Sequence, residues 1–135
     1  MGVIGYSRAM IHLALVALGG AIGASLRHLA GQAALRLFGA NFPWGTLFVN
    51  IAGSLAMGLL IAGLARRTGG TSYEMRLFLA TGLLGGFTTF SAFSLDAVTL
   101  WERGALMPAF AYVSASVILA LGALFAGLWI VRLLP

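Results

Sequence analysis

Four stretches of this chain contain no Asp, Glu, Lys or Arg: residues 9–26, 37–65, 77–95 and 104–131, of 18, 29, 19 and 28 residues. The hydrocarbon core of a bilayer, about 30 Å thick, is crossed by about 20 apolar residues rising 1.5 Å each. Each stretch is long enough to cross, and a chain of 135 residues has too little other sequence to bury four of them away from water. Composition agrees, with 8% charged residues where soluble domains carry about 25%. The expected fold is therefore an all-α membrane protein with four transmembrane helices in a single domain, residues 1–135. The spans are about 9–26 (its helix free to continue to residue 37), 44–65, 77–101 and 105–131.

Arg8 before the first apolar run resembles the start of a secretory signal peptide. Three more hydrophobic runs follow in place of a soluble body, so the run is expected to stay as a span. With no cysteine, disulfides and thiolate metal sites are excluded. All eight basic residues are arginines at the ends of apolar runs, an arrangement that suits membrane anchoring and not nucleic acid. Four spans place Arg8, Arg66, Arg67, Arg76 and Arg132 on one side, and Arg27, Arg36 and Arg103 on the other. Five against three is a small excess for the rule that sets orientation, so insertion in both directions is expected.

Loops are marked by Gly39, Asn41 and Pro43, by residues 66–72 with Gly69 and Gly70, and by residues 102–104. Every span carries small residues four apart: Gly19/Gly23, Gly20/Ala24, Ser54/Gly58, Gly82/Gly86, Gly122/Ala126 and Ala123/Gly127. Such pairs let helix backbones approach where no hydrophobic effect drives association. Four helices enclose little interior, which favours an oligomer.

Polar residues inside the spans need partners or a task. Thr46, Asn50 and Ser54 share one face of the second span, and Tyr112 and Ser116 pair similarly on the fourth. Hydroxyls can bond their own helix. The amide of Asn50, with two donors and two acceptors, has no such local solution, and structural and functional roles stand level for it. No carboxylate lies in spans 1, 2 or 4, where a proton-coupled transporter would be expected to keep one. His12 and His28 sit near span ends. No nucleophile–base pair, metal-ligand spacing or phosphate loop stands out, so the chain is not expected to be an enzyme.

Residues 82–96, GLLGGFTTFSAFSLD, combine glycines, hydroxyls and phenylalanines at membrane depth. Gly82, Gly85, Gly86, Thr88 and Thr89 all weaken a helix. A break there is tolerated only where something satisfies the freed backbone, and freed carbonyls are hard oxygen ligands suited to a small cation. Phe90 and Phe93 lie at i, i+3 with Ser91 and Ser94 beside them. Aromatic edges are electropositive, so two edges among hydroxyl and amide donors could line a path for a small anion. A multidrug-type transporter of this size would want a glutamate in the first span, and a non-conducting scaffold would not explain Asn50 with phenylalanines at a helix break.

The run GGFTTFSAFS resembles the third-helix signature G-G-x-T-T-F-S-T-F-S of the Fluc (CrcB) fluoride channels. GGAIGASLR (19–27) resembles that family's first-helix G-G-x-x-G-A-x-x-R, and GTLFVNIAGSLAMG (45–58) its second-helix G-T-L-x-V-N-x-x-G-S. The resemblance implies an antiparallel, dual-topology homodimer in a bacterial plasma membrane, with its third helix broken mid-membrane. It further implies two fluoride pores along the subunit interface and passive export of cytoplasmic fluoride. A structural sodium ion is implied at the dimer centre, held by carbonyls that map to Gly85 and Thr88. Phe90, Phe93 and Asn50 map to the pore, joined by Thr46, Ser91, Tyr112 and Ser116, and Arg27 maps to a vestibule arginine. Ala92 and Ala120 stand where relatives often carry hydroxyls, and Asp96 where glutamate is usual. Phe87 lies outside the motif and is expected to pack.

Overall fold

The computed structural model describes residues 3–66 and 73–134, with side chains from residue 7 onward. Among these, four helices are long and apolar enough to cross a membrane. The first, Val3–Phe38, is continuous. It reaches about 54 Å at 1.5 Å per residue, well beyond a bilayer's hydrocarbon core. The second is Trp44–Ala65 and the last Leu106–Leu133. The third span, Tyr73–Glu102, is composite. It opens with one α-turn, Tyr73–Arg76, and widens over Leu77–Leu84 into i→i+5 hydrogen bonding, a pattern typical of functional sites. A short α-turn, Gly85–Phe87, follows, and then Phe90–Glu102. Between these last two, Thr88 (φ −80°, ψ 159°) and Thr89 (φ −155°, ψ 120°) are extended.

Gly39 and Gly104 close helices with positive φ, 76° and 74°, which a side chain would disfavour. At the second of these, Ala105 N donates to Leu100 O at 3.0 Å and Gly104 N to Trp101 O at 2.9 Å, the paired bonds of a Schellman end. Residues 67–72, which include Arg67, Gly69 and Gly70 of the expected second loop, lie outside the described residues.

The helices pack as two close pairs. A Cβ placed on Gly19 would lie 2.5 Å from Phe78 O, and one on Gly86 would lie 2.6 Å from Gly20 O, so the first helix and the early third span touch backbone to backbone. The second and last helices do the same: a Cβ on Gly127 would lie 2.5 Å from Leu55 O, and Gly58 faces Leu124 O. Gly122, by contrast, meets nothing within 4 Å, so the Gly122/Ala126 pair makes no close approach within the chain. Gly53 completes the arrangement by facing the Thr88 methyl, which brings the second helix against the extended threonines. Gly85 and Gly86, read from sequence as helix weakeners, are themselves helical. Gly86 is small because the first helix needs the space.

Chain direction puts Trp44 and Trp101 at one end of the bundle and Tyr73 and Trp129 at the other, all four exposed. This is the aromatic belt expected at two membrane surfaces. Arg66 reaches the end of the last helix, where its guanidinium donates to Val131 O at 2.6 Å and satisfies a terminal carbonyl.

Candidate functional site

The two extended threonines leave backbone groups that no helix can pair. Thr89 N donates to Asn50 Oδ1 at 2.7 Å, and Asn50 Nδ2 donates to Thr89 O at 3.0 Å. One side chain from the second helix thus replaces the helical bond that Thr89 N has lost and adds a second bond to the Thr89 carbonyl. Thr89 also caps the next helix, its Oγ1 accepting from Ala92 N at 3.2 Å. Ser91 Oγ lies 3.3 Å from that same hydroxyl. Upstream, Thr88 folds back, with both its N and its Oγ1 donating to Leu84 O at 3.0 Å.

These diversions free particular carbonyls. In an unbroken helix the amide of residue 89 would serve the Gly85 carbonyl and that of residue 92 the Thr88 carbonyl. Here the first amide goes to Asn50 and the second to the Thr89 hydroxyl. Gly85 is exposed on the bundle surface and Thr88 is half-buried.

Beside the interruption runs an open groove of about 410 Å³, lined by Asn50, Gly53, Ser54, Thr88, Thr89, Phe90, Phe93, Ser116, Ala120 and Leu121 among others. Phe90 is 79% exposed on its rim. The Phe90 and Phe93 ring centroids are 5.4 Å apart, and Phe93 lies 5.5 Å from Tyr112. Tyr112 is fully buried, and its hydroxyl donates to Asp96 Oδ2 at 3.2 Å. On its far side Phe42 meets the Tyr112 ring edge-on, at 5.5 Å and 89°. Ser116 is 6% exposed, and among the described residues its Oγ is the one buried side-chain N or O atom with no hydrogen-bond partner.

The structure therefore brings Asn50, Thr88, Phe90, Phe93 and Ser116 to one groove, with Tyr112 packed against Phe93 behind them. Ser91 is exposed just outside it. Thr46, one turn from Asn50, lines a neighbouring cavity together with Asp96. Arg27 is half-buried and lines neither space. Sequence reasoning missed Phe42, whose place is fixed by tertiary packing alone. It also missed the widened turns of Leu77–Leu84, for which the local sequence carries no distinct signal.

An all-helical chain with four spanning helices and polar side chains gathered against a helix interruption is a multi-pass membrane protein. Residues 14–128 match the family model described as CrcB-like protein, Camphor Resistance (CrcB), and the chain belongs to that family. It is 65% identical over 126 residues to a protein of Mesorhizobium japonicum named fluoride-specific ion channel FluC, covering 93% of this chain and 100% of the relative. Relatives of the same name from a Chelativorans species and from Agrobacterium fabrum are 63% and 60% identical. The first match covers 91% of this chain and 98% of the relative, the second 88% and 94%. All three are bacterial and are named ion channels, not enzymes.

Proposed function

We propose that this chain is a fluoride channel that releases cytoplasmic fluoride passively down its electrochemical gradient. The observation that carries the reading is the unpartnered, buried Ser116 hydroxyl in the groove of Asn50, Phe90 and Phe93, in a chain 65% identical to a protein named for fluoride conduction. Fluoride is small and strongly hydrated, so a path through the membrane must replace its water with donors. Asn50 uses one N–H on Thr89 and keeps a second. Ser116 has a free O–H, and the phenylalanine edges are electropositive. Conduction needs neither a nucleotide nor a coupled ion.

The groove is open on one side, where Phe90 and Leu121 stand exposed. A second copy in opposite orientation closes it, giving a dual-topology homodimer with two pores. The threonine interruption then lies at mid-membrane. Gly85 and Thr88, the positions to which the family resemblance maps a structural sodium ion, fit that role: their carbonyls are among those that have lost helical amides, and carbonyl oxygen suits a hard cation. When bound, such an ion supplies positive charge that ties together two chains, each with an interrupted third span. The purified protein in liposomes loaded with fluoride, followed with a fluoride electrode, tests the channel reading. Efflux should be rapid once a potassium ionophore clamps the voltage, and chloride-loaded vesicles should hold their content. Fluoride retained as in protein-free vesicles would end this reading.

A further inference from the structure

A second cavity, of about 290 Å³, lies beneath the first loop at the end of the bundle that carries Trp44 and Trp101. The late third span supplies Asp96, Thr99, Leu100 and Arg103 to it, an i, i+3, i+4, i+7 face. Asn41 and Thr46 add polar groups from the opposite wall. Arg103 sits at the helix end, about 10 Å along the axis from Asp96 at 1.5 Å per residue. Among the described residues no carboxylate is within ion-pair distance of its guanidinium.

This cavity and the groove share a wall. Asp96, which lines the cavity, accepts a hydrogen bond from the Tyr112 hydroxyl, and the Tyr112 ring packs, tilted by 38°, against Phe93 of the groove. Thr46 of the cavity stands one turn from Asn50 of the groove. An anion crossing that wall would be repelled by a lone carboxylate. Arg103 supplies the opposite charge on the same helix face, outward of Asp96, so the cavity as a whole is neutral.

We propose that this cavity is the antechamber of the anion path, and that Arg103 captures fluoride there by offsetting Asp96. The proposal rests on the fluoride-channel reading and adds a named capture site to it. The competing role for Arg103, anchoring a helix end in the headgroups, gives no reason for its place on the Asp96 face. It also predicts no dependence on fluoride concentration.

The test is initial fluoride efflux from liposomes containing the dimer, measured over a range of fluoride concentrations and ionic strengths. Arg103→Gln should conduct about threefold less at low fluoride, the Coulomb factor for one charge about 7 Å away in water. The deficit should shrink at high fluoride and in added impermeant salt. Arg103→Lys should stay near the parent, and so should Arg36→Gln, at an exposed position outside the cavity. The proposal is overturned if Arg103→Gln matches the parent throughout, if its deficit is the same at every concentration and ionic strength, or if Arg103→Lys loses as much. A parent protein that does not conduct would overturn the channel reading and this inference with it; a conducting parent with an indifferent Arg103 overturns the inference alone.

Discussion

Asn50 and Thr89 are joined by two hydrogen bonds, amide to carbonyl at 3.0 Å and backbone N–H to amide oxygen at 2.7 Å. The asparagine is therefore a structural clasp for the interrupted span as well as a candidate donor to the ion. Asn50→Ala should leave Thr89 N unpaired and cost about 1–3 kcal/mol, lowering thermal stability in detergent along with fluoride flux. Asn50→Asp keeps the acceptor for Thr89 N but removes the donor and adds negative charge. Its flux should fall further than its stability.

Ser116 separates the two quantities the other way. Its hydroxyl is buried without a partner, a state that costs free energy in the folded protein. Ser116→Ala should fold at least as stably as the parent while conducting less fluoride. Equal flux in the alanine variant would remove Ser116 from the path.

The two groove phenylalanines differ in setting. Phe90 is on the rim, whereas Phe93 is packed against Tyr112. Isoleucine at either position removes the electropositive ring edge, so flux should drop sharply for both. Only Phe93→Ile should also lower the thermal midpoint. Methionine, flexible and polarizable, should be better tolerated than isoleucine at each. Phe87, which lies against Gly53 and outside the groove lining, should accept isoleucine with little change in flux.

Neighbouring glycines give a paired test of the proposed cation site. A Cβ on Gly85 meets nothing closer than Ala80 O at 3.6 Å, whereas one on Gly86 would lie 2.6 Å from Gly20 O. Gly86→Ala should impair folding of the single chain. Gly85→Val should fold, with its loss appearing in dimer stability and in sodium dependence of the dimer. Unchanged assembly for Gly85→Val, at low and high sodium alike, would count against carbonyl ligation there.

Orientation can be read by single-cysteine labelling, which the absence of native cysteines makes clean. A cysteine near residue 8 should react with an impermeant maleimide from both sides of the membrane in roughly equal amounts. Labelling from one side only would rule out the antiparallel dimer.

The four spans were legible because charge-free length is a direct physical requirement of the bilayer. The polar face of Thr46 and Asn50 was legible from helical periodicity. The place of the interruption was less so. The glycines at 82, 85 and 86 and the threonines at 88 and 89 together marked a broad zone of weakness, within which the glycines serve close contact with the first helix or remain helical. The extended residues are Thr88 and Thr89, because Asn50 and the Thr89 hydroxyl offer their backbone and the next turn better partners than the helix does. That choice is made by a residue 39 positions away, which no local pattern reports. Phe42, remote from Tyr112 in sequence and edge-on to it in space, escaped for the same reason.

The Asn50 clasp also bears on how the chain enters the membrane. A third span with Thr89 extended exposes backbone groups that lipid cannot satisfy, at a cost of several kcal/mol for each. Synthesis runs from the N-terminus, so the second helix emerges first and its asparagine is already at depth when the threonines arrive. The third span need never face lipid alone, and moving Asn50 behind it in chain order would take that protection away.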